Sequence, residues 1–163
     1  MEVQLATIIL MIGIGSTLCL DLWNLALKRI FGIPSLNFCL LGRWICHMPA
    51  GKFVHAQIAT AEEKRAECAV GWIAHYSIGI ALTGLFVSIV STDWLARPTF
   101  LPALLYGIIT VALPFLILQP ALGLGIASSK TPRPTQARLK SLITHAVFGA
   151  SLWICASGLK SLL

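Results

Sequence analysis

The sequence predicts an all-α membrane protein: four transmembrane helices in a bundle, with a short interfacial or re-entrant helix in the first cytoplasmic connection. Three observations predict it. The 163 residues are 57% hydrophobic and 11% charged, with a mean hydropathy of +0.85, which is too apolar for an ordinary soluble domain. Continuous apolar runs lie at 3–27, 68–91, 99–127 and 139–159, each long enough to cross roughly 30 Å of hydrocarbon at about 1.5 Å per residue. The runs are unbroken rather than alternating, which excludes barrel strands. A single transmembrane domain over 1–163 follows.

Charge placement sets the orientation. Lys28, Arg29, Arg43, Lys52, Lys64 and Arg65 lie in the first connection, and Lys130, Arg133, Arg138 and Lys140 in the third. Only Arg97 and Lys160 lie elsewhere. The positive-inside rule makes both basic connections cytoplasmic and both termini periplasmic in a bacterial inner membrane. A formal charge of +6 would suit nucleic acid in a soluble chain; distributed this way it implies the lipid bilayer as partner and no nucleic acid. Met1-Glu2-Val3-Gln4 lacks the positive start of a signal peptide, so the first run is expected to stay in the mature chain. Cys19, Cys39, Cys46, Cys68 and Cys155 are odd in number and form no CxxC. They are expected to be reduced apolar filler.

The first helix carries Gly13, Thr17, Asp21, Asn24 and Lys28 as a polar stripe, which must face the bundle. Asp21 either bonds a neighbouring helix or arginine, or belongs to a site. Gly32 to Ser35 breaks the helix, and Ser35 is placed to cap a short helix over 36–47. Arg43 and His47 lie one turn apart on it. On a surface helix Arg43 would snorkel and His47 would be solvated; the alternative is a binding loop. Met48 to Gly51 then turns the chain towards His55.

Thr60 and Glu63 form a capping box by spacing, with Glu62 and Glu63 at the positive end of the second helix. Glu67, Gly71, His75 and Gly79 follow at four-residue steps, leading from a surface carboxylate to a buried imidazole. That stripe is either a proton path or the bundle-facing side of a capped helix. In the third helix Pro114 and Pro120 remove backbone donors, so a kink or unwound turn is expected between Pro114 and Gly123, facing protein. Gly123 and Gly125 permit close approach of backbone to a ligand or helix, a weak phosphate signal on its own. Lys130-Thr131-Pro132-Arg133-Pro134 is a stiff basic loop that could face lipid headgroups. The fourth helix repeats the spacing of the second, with Ser141, His145 and Gly149 four apart.

Asp21-Leu22-Trp23, Pro34-Ser35-Leu36-Asn37, Gly42-Arg43-Trp44, His47-Met48-Pro49, Gly71-Trp72-Ile73-Ala74-His75-Tyr76, Gln119-Pro120 and Thr144 to Gly149 together resemble a bacterial membrane family, domain of unknown function 2938. The resemblance covers nearly the whole chain. It implies an inner-membrane location and carries no catalytic residue.

No nucleophile elbow, HExxH, CxxC or paired intramembrane carboxylate is present, so the familiar enzyme signatures are missing and catalysis is left open. The expected site is a polar pocket open to the cytoplasm, lined by Asp21, His75, Gln119 and His145 and lidded by Arg43, His47 and His55. It would bind or carry a small solute or proton, with a homodimer forming any pathway across the bilayer. Two alternatives stand beside it. One is a structural or accessory subunit in which these residues only hydrogen-bond between helices. The other is a metal- or haem-binding protein, with His75 and His145 at matching depth.

Overall fold

The computed structural model of the chain describes residues 2–162. Met1 and Leu163 lie outside the described residues, and with them the start of the Met1-to-Gln4 stretch and the outermost points of both termini. The described chain is helical without strands: α1 (Glu2–Phe31), α2 (Phe38–His47), α3 (Glu67–Val90), α4 (Asp93–Ala96), α5 (Phe100–Ile109), α6 (Gln119–Ala121) and α7 (Pro134–Leu162). Four stretches are long and apolar enough to cross a membrane: Val3–Phe31, Glu67–Val90, Phe100–Ala121 and Pro134–Lys160. Only 22–28% of their most apolar windows is buried, so most of these side chains face outward, as a lipid-solvated bundle requires.

The chain divides into two compact units. The first contains Met1–Ser35, Tyr76–Ile109 and Ile143–Leu163. Its core draws Ile12 from α1, Phe86 from α3, Ala103 and Tyr106 from α5, and Phe148, Leu152 and Ala156 from α7, which makes it a four-helix bundle. Small residues let the backbones meet. A Cβ at Gly107 would stand 2.5 Å from the His145 carbonyl oxygen and 2.6 Å from the Gly149 Cα. The first part of the polar stripe of α1 turns inward as expected: Thr17 is buried against Gly79, and Gly13 lies against the Ile80 backbone, whereas Asp21 and Asn24 are half-buried and Lys28 is exposed.

The second unit contains Leu36–His75 and Thr110–Leu142. Its start corrects the expected cap, because Asn37 rather than Ser35 accepts from the Cys39 amide, at 3.0 Å. Its helix α2 lies backbone to backbone on the first turns of α3. A Cβ at Gly42 would collide with the Glu67 carbonyl, and one at Gly71 with the Phe38 carbonyl. The same approach overturns the expectation of reduced cysteines: Cys39 and Cys68, with Cα atoms 3.9 Å apart, form a disulfide. No CxxC announced it, since the pairing spans 29 residues and is made by the crossing.

The expected break in the third helix is present and starts earlier. The α-helix ends at Ile109, and a π-helical turn runs over Pro114–Leu118 before α6 closes the segment at Ala121. Pro114 has no N–H to give one turn back and its ring crowds that carbonyl, which the wider turn accommodates. Gln119 at its end is buried rather than turned to lipid.

Candidate functional site

Arg43 organises the connection between α2 and α3. Its Nε donates to Glu67 Oε2 at 2.9 Å and its Nη2 to Glu67 Oε1 at 2.7 Å, a two-pronged pairing. Nη1 donates to the carbonyls of Ala59 and Ala61, and Nη2 also to Glu63 Oε1 at 3.1 Å. A guanidinium has five N–H donors, and all are used. The hydrogen bonds from Glu67 hold its pKa above the usual arginine value against the opposing effect of burial. Arg43 is buried rather than snorkelling, and His47 is buried rather than solvated.

The loop wrapped around the guanidinium explains why the expected capping box fails to form. Thr60 donates to the Gln57 carbonyl, Glu63 turns to Arg43, and α3 starts only at Glu67. The reach-back typical of such a box occurs four residues later, where Glu67 Oε2 accepts from the Lys64 amide at 2.9 Å. The stripe read as a route to His75 is covered over Glu67, Gly71 and His75. Arg43 takes the first, the Phe38 and Gly42 backbones pack on the second, and the Phe38 ring stacks on the third at 4.0 Å.

His47 and His55 come together further along the same connection. His47 Nε2 donates to the Glu62 carbonyl at 3.0 Å, which fixes its tautomer. Its ring meets that of His55 edge-on at 5.0 Å. The segment bearing His55 is tied to the end of α6 by two backbone bonds, His55 N–H to the Ala121 carbonyl at 2.9 Å and Ile58 N–H to Leu122 at 3.1 Å. Gly123, at a φ of +87°, presses so closely on the Ala56 carbonyl that a side chain has no room there. Both His55 ring nitrogens are buried without a hydrogen-bond partner, as is Gln119 Oε1, while Gln119 Nε2 donates to Ser141 Oγ at 3.3 Å. Burial, and then the nearby His47 and Lys52, push the His55 pKa below the usual imidazole value and favour its neutral form, against a smaller raising effect of the Ala121 backbone, whose approach to the ring falls short of hydrogen-bond geometry. An open cleft of about 500 Å³ adjoins the ring, bounded by Pro120, Gly123, Ser129 and Lys130.

Arg43, His47, His55, His75 and Gln119 thus belong to the second unit, and Asp21 and His145 to the first. In the first, Asp21 Oδ2 accepts from the Tyr76 hydroxyl at 3.0 Å, and the His145 imidazole hydrogen-bonds the Gly107 backbone. Among the described residues no three His, Cys, Asp or Glu side chains converge to hold a metal ion. Sequence reasoning missed Glu67 as the partner of Arg43, Lys130 and Ser129 as cleft walls, and the disulfide. A signal for the last was present: Cys39-Leu40-Leu41-Gly42 and Cys68-Ala69-Val70-Gly71 repeat Cys-x-x-Gly, each glycine marking the contact face that brings its cysteine in.

Four membrane-compatible helices, with ionisable side chains paired or stacked against protein, define a multi-pass membrane protein. The chain belongs to the family described as protein of unknown function DUF2938, whose profile matches residues 10–158. No curated protein and no solved structure matches it.

Proposed function

We propose that this is a multi-pass inner-membrane protein that binds a small solute in its second unit, around His55 and Gln119. The observation supporting this reading is the set of three buried polar atoms without partners, His55 Nδ1 and Nε2 and Gln119 Oε1, in the segments that bound the cleft. A buried polar atom left unsatisfied costs about 1–3 kcal/mol, and a bound solute or ordered water would recover that cost. His47, in ring contact with His55, belongs to the same cluster. Arg43 and His75, in the same unit, are held by partners of their own, Glu67 and the Phe38 ring. Transport would require a second copy to complete a pathway. The charge distribution favours cytoplasmic basic connections and periplasmic termini.

The test is a thermal-shift screen of small solutes on the full chain in detergent, beside His55→Phe and Gln119→Leu. A solute that raises the melting temperature of the native chain and of neither variant supports the reading. If no solute acts and His55→Phe only stabilises the protein, the polar atoms have no ligand and the reading falls.

A specific observation favours the structural alternative: Arg43 has no donor to spare, and Asp21 and His145 are engaged by neighbouring helices. An accessory subunit would be built this way. It leaves the three unpartnered atoms without an explanation.

A further inference from the structure

We infer that the cleft beside His55 binds a phosphate-type anion, with the His55 imidazole and the Lys130 ammonium as its charged contacts and the Ser129 hydroxyl as a further donor. This deepens the solute-binding reading and rests on it.

The lining carries His55, Ser129 and Lys130 as its polar side chains and no carboxylate. Among the described residues no carboxylate forms an ion pair with Lys130. His47 at the end of α2 and Lys52 in the turn that follows both oppose a positive charge on His55, against a smaller effect of the Ala121 backbone. Glu62 acts electrostatically on His47 and Lys52, and Glu67 on His47, but these carboxylates are paired, with Lys64 Nζ at 2.7 Å and with Arg43 Nη2 at 2.7 Å. A cleft lining that carries a lysine and no carboxylate is the condition for an anion site.

The loop carrying Ser129 and Lys130 is held in place by its own backbone. Lys130 N–H donates to the Leu124 carbonyl at 2.9 Å and Leu124 N–H to Gln119 at 2.8 Å, with Gly125 at a φ of +74° between them. A Cβ at Gly125 would press on Lys130 Cγ at 2.9 Å and collide with Ser129 Oγ. The glycine therefore lets both side chains cross the turn towards the cleft. His55 belongs to the same lining, and both its ring nitrogens are buried without a hydrogen-bond partner. A tetrahedral oxyanion offers several acceptors at once, which suits two cations and a hydroxyl better than a single carboxylate would.

Binding also has a proton signature. Burial, and then His47 and Lys52, disfavour the protonated His55 ring, and a bound anion opposes that balance, so association takes up a proton. Affinity therefore rises on acidification, by up to about tenfold per pH unit between the titrations of the bound and the free state.

The phosphate could be free or the headgroup of an anionic lipid, and two arms of one experiment distinguish them. The His55 ring resonance of the full chain is followed by NMR as inorganic phosphate is added in detergent at pH 6 and pH 8. The second arm compares nanodiscs of phosphatidylcholine with nanodiscs containing phosphatidylglycerol. A saturable shift with inorganic phosphate, tighter at pH 6 and weakened about tenfold (~1.4 kcal/mol) in Lys130→Gln, assigns free phosphate. A shift only with phosphatidylglycerol, lost in the same variant, assigns the headgroup. Lys130 and Ser129 are exposed, so Lys130→Gln and Ser129→Ala leave folding intact. No response in either arm, or a response that ignores Lys130→Gln, overturns the anion inference. If a neutral or cationic solute from the thermal-shift screen moves His55 instead, solute binding stands and the anion falls; if nothing moves it, both fall.

Discussion

Replacing Gly42 by alanine tests whether the crossing of α2 and α3 is what holds the second unit together. The added methyl would stand 2.6 Å from the Gly71 amide nitrogen and nearer still to the Glu67 carbonyl. Neither obstacle is a flexible side-chain tip, so α2 must retreat by roughly 1 Å. A gap of about that size forfeits a quarter to a half of each dispersion contact along the seam. It would also stretch the Arg43 to Glu67 bonds, now 2.9 and 2.7 Å, towards the length at which they cease to be hydrogen bonds. Overpacking of a tight contact costs about 1–3 kcal/mol, and the upper end is expected because backbone meets backbone. In a chain of this size each 1 kcal/mol lowers the melting temperature by roughly 2–4 °C. The assay is thermal unfolding of the full chain in detergent, with the yield of the Cys39 to Cys68 cross-link under mild oxidation as a second readout. Gly158→Ala is the control: a Cβ there meets nothing within 4 Å, and alanine gains up to about 1 kcal/mol of helix propensity. Gly42→Ala that melts with the native protein and cross-links fully would refute the close crossing.

Tyr76→Phe removes the donor to Asp21 and is expected to cost about 1 kcal/mol in an unfolding assay, with Asp21→Asn, which can still accept, costing less; equal costs would show that charge rather than the hydrogen bond matters. The Cys39 to Cys68 disulfide tests the proposed orientation: on the cytoplasmic side cellular reductants would hold the bond open, so both thiols should be trapped free in intact cells and close on added oxidant; a bond already formed in cells would put the first connection on the oxidising side and invert the topology. His55 gives the protein a pH slope. The folded state disfavours its protonated form, so its contribution is complete above the unfolded value near 6.5 and is lost as pH falls through the lower folded value. Melting temperatures at pH 8 and 5.5 should show this loss in the native chain and less of it in His55→Gln; an identical slope in both would remove His55 as its source.

What the sequence revealed depended on whether the cause was local. The spans, the inward stripe of α1 and the break after Pro114 follow from hydropathy, helical period and a missing N–H, all written within a few residues. The fate of Arg43, His47 and the two cysteines was not legible, because each is decided by a partner brought in by the α2 and α3 crossing. The capping box at Thr60 misled for the same reason: a guanidinium 17 positions upstream outbids a local cap for the Glu63 carboxylate and the neighbouring carbonyls. Local propensity is a weak prior where a buried charge must be satisfied.

That competition also sorts the polar residues by role. A buried charge in this fold is tolerated only with its donors filled, and Arg43 has all five filled by this chain. Asp21 and His145 are likewise held by residues of their own unit. Removing any of these leaves a partner stranded, so each constrains the packing whatever the protein does. His55 and Gln119 break the pattern. Their backbones are tied into the second unit by hydrogen bonds, yet three of their side-chain atoms have no hydrogen-bond partner. A packing role would favour apolar side chains at both positions, since burying these atoms unpaired lowers stability. The proposed ligand would complete them, and the adjoining cleft, with Lys130 and no carboxylate in its lining, suits the anion inferred above.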